Sequence, residues 1–179
     1  PAAVTVQADV DALIAAAGSD LGIVANVAGI MDHFLPLGEM TDDMWNRVMD
    51  VNVTGVMRLS RAAIPVFEAK GAGVFVTVGS RASLGGGAAG TAYATAKHAV
   101  IGLEQSIAVL PGAVATAIAS SAMPDVPWAF DRAMQAMASA GAKVAEPDEV
   151  AAAISWLASS EASNVNGAIM TVDNGWASA

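Results

Sequence analysis

The chain has 179 residues, 55% of them apolar, mostly Ala and Val, and only 5% aromatic, which fits one domain whose helices pack closely on a buried sheet. A net charge of −9 with no basic stripe argues against nucleic acid as the main partner, and the absence of cysteine excludes disulfide scaffolds and thiolate metal sites. The apolar runs are interrupted by Gly, Asp or Asn before they reach membrane-spanning length. No basic region leads into an apolar one at the N-terminus, so the expectation is a cytoplasmic protein without membrane contact.

In chain order, residues 3–8 (AVTVQA) alternate as a strand does and end at Asp9 and Val10. Residues 11–17 are helical in composition and stop at Gly18. Residues 22–28 (GIVANVA) form a short β-rich run closed by Gly29, the pattern of a buried strand ending at a ligand edge. After a loop over 33–40, Thr41 reads as an N-cap, with Asp42 and Asp43 at the positive end of a helix running to about residue 50. A second helix follows over 56–70. Between the two stands Asn52, a poor helix former, either a plain polar residue at a junction or one that kinks the backbone or holds a water.

Residues 73–79 (GVFVTVG) are the clearest strand, apolar and β-branched, and therefore expected to be covered on both faces. A Gly- and Ala-rich loop over 80–90 precedes a long helix expected over 91–110. Residues 124–140 read as a mobile helical segment, with Met123, Trp128, Phe130, Met134 and Met137 either forming a lid over an apolar pocket or packing in a core. Pro147 opens a helix to about residue 159, and residues 168–172 form a last strand. Alternating strands and helices predict an α/β fold with a doubly wound, Rossmann-like parallel sheet. Ligands bind such sheets at the carboxyl ends of the strands. Asp9 with Val10, Asn26 to Gly29 and Ser80 each follow a predicted strand and should share that edge.

The chemistry centres on Tyr93 and Lys97, four residues apart and hence on one face of a helix. A fixed cation beside a phenol favours its ionised form, which suits a general acid/base; an isolated match of this kind is more commonly a solvated Lys beside a half-buried Tyr. Twelve residues separate Ser80 from Tyr93, so a strand end, a loop and a helix can bring the two hydroxyls together. His98 is expected to point away from Tyr93, and His33 to lie on a surface loop. No spacing links the two, and no metal is implied.

Together these elements resemble the classical short-chain dehydrogenase/reductase family across nearly the whole chain. The resemblance rests on Asn26-Val27-Ala28-Gly29 (the family's Asn-Asn-Ala-Gly with Val second), Asn52, Ser80, Tyr93-x-x-x-Lys97, Pro111-Gly112 and Val165-Asn166-Gly167. It implies an NAD(P)-dependent oxidoreductase that interconverts a small-molecule secondary alcohol and a ketone. Tyr93 would be the acid/base, Lys97 would lower its pKa and bind the nicotinamide ribose, Ser80 would hold the substrate oxygen, and Asn52 would position a water joining Lys97 to solvent. Asp9 and Val10 would contact adenine, and Asn26, Ala28 and Gly29 the adenine-ribose side. Pro111, Gly112, Val114 and Thr116 would cradle the nicotinamide amide and phosphate. The resemblance also implies a homo-oligomer, a tetramer or dimer formed through the helices over 56–70 and 91–110 and the final strand. The competing reading is a noncatalytic binding or assembly module on the same fold, against which the intact Ser80, Tyr93 and Lys97 argue.

The sequence departs from the family at three places. It has no Gly-rich phosphate-binding turn, which the family places in a first β-α-β unit together with the residue that selects NAD or NADP. The helix over 91–110 meets Pro111 with no strand between, and the connection near residue 10 is too short. The expectation is one domain over 1–179, incomplete at the N-terminus, with breaks near 10/11 and 110/111 and one later strand missing.

Overall fold

A computed structural model of the protein describes residues 2–103 and 107–178. Four short apolar runs, β1 (Ile23–Asn26), β2 (Val74–Val78), β3 (Ile107–Pro111) and β4 (Ile169–Val172), pair in that order, all parallel. The register sets Asn26 beside Thr77, Val78 beside Val109 and Pro111 beside Val172, so the four carboxyl ends lie along one edge.

The helices are α1 (Gln7–Ala17), α2 (Asp42–Met49), α3 (Gly55–Lys70), α4 (Thr91–Leu103), α5 (Pro127–Ser139) and α6 (Pro147–Leu157). Side chains alternate across β2, as the pleat requires. Val76 packs with Ile107, Val109 and the α6 residues Val150 and Leu157. Phe75 turns to the opposite face, against Ile14 of α1, Val24 of β1, and Ala63 and Phe67 of α3. Helices thus cover both faces, as the doubly wound reading expects. A third cluster joins Val48 of α2 to Ala92, Tyr93 and Ala96 of α4 and seats the Tyr-Lys helix. Each such large apolar side chain contributes about 1.5–3 kcal/mol on burial.

Two expectations give way. Residues 3–8 do not form a strand: the polar-apolar alternation is overridden by a helix beginning at Gln7, whose Val10 and Ile14, four apart, are buried. Asp9 and Val10 are therefore in the first turn of α1 and not at a strand end, and the Asp9 carboxylate accepts the Ala3 N–H at 2.8 Å. Helix α1 runs through residues 10 and 11. The second correction concerns 91–110. Helix α4 ends at Leu103, and Ile107–Pro111 is the fully buried strand β3, so the strand thought missing is present and 110/111 lies within it. A short, continuous apolar run has no periodicity to separate strand from helix. The change from helix to strand falls at 104–106, outside the described residues.

Thr41 caps α2 as expected, its hydroxyl accepting the Met44 N–H at 3.2 Å. The helix does not stop at Asp50 but passes through a π-helical turn, Asp50–Thr54, into α3. Asn52 lies in that turn. Among the described residues no helix is long and apolar enough to cross a membrane, and no group of three metal-ligating side chains occurs.

Candidate active site

Strand β2 delivers Ser80 in extended conformation, and the chain then turns through a short 3-10 segment, Arg81–Ser83. Ser80 Oγ accepts the Ala82 N–H at 3.1 Å, while the Ser80 N–H donates to Ser83 Oγ at 3.1 Å. The Ser83 hydroxyl in turn donates to the Lys97 carbonyl at 2.8 Å, fastening the turn to α4. Across this clasp Ser80 and Tyr93 line one cavity, and the Ser80 side chain favours the ionised phenol.

Tyr93 and Lys97 are one helical turn apart and only 7% and 4% exposed. Lys97 Nζ donates to the Val78 carbonyl at 2.8 Å and stands 5.7 Å from the centre of the Tyr93 ring. Burial pushes the Tyr93 phenol up to about 12; the Ser80 hydrogen bond opposes this, and the Asp32 carboxylate adds to it. Burial likewise brings Lys97 down to about 8. Lys97 is not among the groups that move Tyr93; burial sets the direction of its shift.

Asn52 is completely buried, its Nδ2 donating to Val48 O at 2.9 Å and Ile30 O at 3.0 Å. Its Oδ1 is shielded from solvent and has no partner among the described residues. Gly29 lies against it: a Cβ there would come 2.7 Å from Asn52 Oδ1 and 3.6 Å from Lys97 Nζ. The end of β1, the π-helical turn and the Tyr-Lys helix thus converge at one glycine.

Sequence reasoning missed Asp32. Its carboxylate is fully buried and accepts the Tyr93 N–H at 2.9 Å, and burial raises its pKa against the pull of surrounding backbone amides. It anchors the first turn of α4 from 61 residues away, a pairing that no local spacing reveals. Gly90 is required beside it, since a Cβ there would fall 2.4 Å from Asp32 Oδ1. Ser83 was also missed; a serine three residues after Ser80 fits a capping pattern and was the available signal.

The remaining expected residues divide. Asn26 uses its amide to brace β1, donating to Ser60 Oγ and Thr77 Oγ1, both at 3.2 Å, while Ala28 and Asn26 border a small cleft beside Val4 and Gly55. Asp9 and Val10 do not border that cleft, which Val4 reaches instead. Pro111 is buried as the last residue of β3, and Gly112 and Val114 line the cavity beside Ser80. Thr116 is exposed beyond it. This cavity, about 280 Å³, is also lined by Ser80 and Tyr93, and by Phe130 and Met134 of α5. Trp128 and Met123 from the same stretch face solvent instead. His33 binds Asp125 through Nδ1 at 2.9 Å, and His98 turns back to Ala94 O at 2.8 Å.

A family model described as enoyl-(acyl carrier protein) reductase matches residues 1–177. The chain is 35% identical to the short-chain dehydrogenase/reductase cdmF of Talaromyces verruculosus, over 96% of this chain and 75% of the relative. It is 34% identical to a 3beta-hydroxysteroid dehydrogenase 2 of Eggerthella lenta, over 94% of this chain and 70% of that protein. Among solved structures, levodione reductase superposes with a TM-score of 0.88 at 26% identity, over 99% of this chain and 76% of that one. The chain belongs to the short-chain dehydrogenase/reductase family and is an NAD(P)-dependent enzyme of it. At the strand ends Gly29 makes room for Asn52 and Gly112 packs close to Asp173, while Asn52 Oδ1 is a buried acceptor with no partner among the described residues.

Proposed function

We propose that the protein interconverts a secondary alcohol and a ketone, with Tyr93 as the proton-transferring group. The observation that carries this reading is that Ser80 and Tyr93 line one cavity walled largely by apolar side chains, with buried Lys97 one helical turn from Tyr93. Gly29, Lys97, Gly112 and Val114 are the residues that would hold NAD or NADP, and Ala28 with Asn26 would border its adenosine end. When bound, the dinucleotide supplies or accepts the hydride.

This chain's own residues handle position and protons. Ser80 holds the substrate oxygen next to the phenol. Tyr93, kept protonated by burial, donates to that oxygen as a ketone becomes an alcohol. Lys97 and the free Oδ1 of Asn52 give the proton a route toward solvent, through a water for which that acceptor has room in its hydrogen bonding. Phe130 and Met134 exclude bulk water from the reacting carbon. Assembly through the outer faces of α3 and α4, where Ile64 and Leu103 are exposed, belongs to the same reading.

The test is dinucleotide-dependent reduction of a panel of ketones, run with NADH and NADPH separately. Tyr93→Phe is expected to lower kcat about 10²- to 10⁴-fold with an unchanged circular dichroism spectrum. A variant that kept most of its activity would show that the proton comes from elsewhere.

A further inference from the structure

Asp32 is a buried acid that the mechanism above leaves unused. It lies on the loop after β1, and its side chain has no exposure to solvent. Oδ2 accepts the Tyr93 N–H at 2.9 Å, while Oδ1 is shielded and meets no donor among the described residues. The next two residues, His33 and Phe34, have φ of 55° and 57°, in the left-handed region that residues with a side chain rarely enter. Strain of that kind persists only where the surroundings over-determine it, and it gathers at functional sites. Here the turn is held on several sides. The Asp32 carbonyl accepts the Leu35 N–H at 3.1 Å, the Leu35 carbonyl accepts the Thr91 N–H at 2.9 Å, and the Phe34 ring packs edge-on against Phe130.

The first amides of a helix have no partner within it, and a helix ordinarily meets that need from its own N-cap side chain. Helix α4 does not: the residue before Thr91 is Gly90, and the first turn carries no acid. The turn over 32–35 serves both the Thr91 and the Tyr93 amides instead. A cap on α4 itself would end the helix equally well, without left-handed residues in the turn and without a buried carboxylate oxygen left unpaired, which is costly. A cap from another segment does one thing more, because it fixes the helix against the sheet edge. The amide that the carboxylate takes is that of Tyr93 itself.

We propose that Asp32 is a positioning residue for proton transfer: it locks the turn of α4 that carries Tyr93 to the loop after β1, and so sets where the phenol stands relative to Ser80. This rests on the oxidoreductase reading above, and Tyr93 stays the group that touches substrate. A carboxylate so placed also bears on the phenol, whose ionisation it opposes. Among the described residues the other ionisable groups by Tyr93 are Lys97 on its own helix and Arg81, which lines the same cavity.

The first arm needs no turnover. Tyr93 is the only tyrosine in the chain, so the ultraviolet absorbance of tyrosinate reads it alone. In Asp32→Asn, which removes the charge and keeps an acceptor oxygen, the phenol should ionise at lower pH than in the unsubstituted protein. In the second arm Asp32→Ala should lower kcat about 10- to 100-fold while KM for ketone and dinucleotide stays within about three-fold. Asp32→Asn should recover most of that loss. If circular dichroism shows Asp32→Ala unfolded, Asp32→Ser takes its place with the same expectation, its hydroxyl being too short to reach the amide. A folded Ala or Ser variant with unchanged kcat would overturn the proposal, as would an equal loss in Asp32→Asn. So would a phenol that ionises at the same pH without the charge. A rise in KM that accounts for the whole loss would overturn it too, leaving Asp32 a cap of the fold. Failure of the oxidoreductase reading alone would look different: no ketone turned over, or Tyr93→Phe fully active, with the ionisation of the phenol still dependent on Asp32.

Discussion

The two walls of the cavity are built on opposite plans. On one side Ser80, Tyr93 and Lys97 are tied to the backbone through Ala82, Asp32, Val78 and Ser83, in bonds of 2.8–3.1 Å at buried or half-buried positions. On the other, α5 and the segment leading to it leave Met123 68% and Trp128 58% exposed. That wall is held by an exposed His33–Asp125 contact, a Met31 N–H to Ser121 Oγ bond of 3.2 Å, and the edge-on Phe34–Phe130 pair at 5.1 Å. Proton transfer demands fixed distances, whereas recognition of an apolar body tolerates, and gains from, adaptable side chains. On the function proposed above, chemistry would belong to the rigid wall and selection to the soft one.

Substitutions that strike the rigid wall should cost most. Gly90→Ala drives a methyl group into the Asp32 carboxylate and should destabilise the fold by about 1–3 kcal/mol or more in chemical denaturation, with kcat falling as α4 shifts. Asp32→Ala removes the acceptor of the Tyr93 N–H and should cost about 1–3 kcal/mol; an unchanged denaturation midpoint would show that the anchor is dispensable.

The pH dependence of stability sharpens the same contrast. Lys97 is depressed from 10.5 to about 8, so the unfolded chain binds the extra proton between those values and stability should rise with pH there, by up to about 1.4 kcal/mol per unit. Tyr93 is raised from 10 to about 12, so its contribution is complete below 10 and is lost as pH climbs toward 12. Lys97→Met should flatten the rise between 8 and 10.5 while abolishing turnover, and thermal melts across that range would read it.

On the soft wall Phe130→Ala should cost only about 1 kcal/mol, yet shift the relative kcat/KM among ketones of different bulk. Asp125→Ala should move stability by no more than about 0.5 kcal/mol, and its effect should appear as faster proteolytic nicking within residues 117–126. If Asp125→Ala cost as much as Asp32→Ala, the division into rigid and soft walls would fail.

The legible parts of the sequence were those with local patterning. GVFVTVG, the Thr41 cap and the Tyr93–Lys97 spacing each declare themselves within a few residues, and the structure has β2, α2 and the buried pair at those places. AVTVQA misled because alternation over six residues is a weak signal beside a helix that buries Val10 and Ile14 against a neighbour. Ile107–Pro111 was hidden for the opposite reason, being apolar at every position. Asp32 and Gly90 were illegible because what makes each important is contributed by another segment: the Tyr93 amide on α4, and the Asp32 carboxylate.

The π-helical turn at Asn52 has a mechanical consequence. Each residue advances a helix by roughly 100°, and a π turn carries one residue more than the surrounding pitch requires. The turn therefore works as a phase shifter between two halves of one rod: Val48 looks toward α4, and Ala63 and Phe67 toward the sheet. Deleting Val51 would restore the ordinary pitch, and with it rotate α3 against its own contacts by about a third of a turn. Asn52 and the timing of the rod occupy the same five residues, so drift in either one disturbs the other.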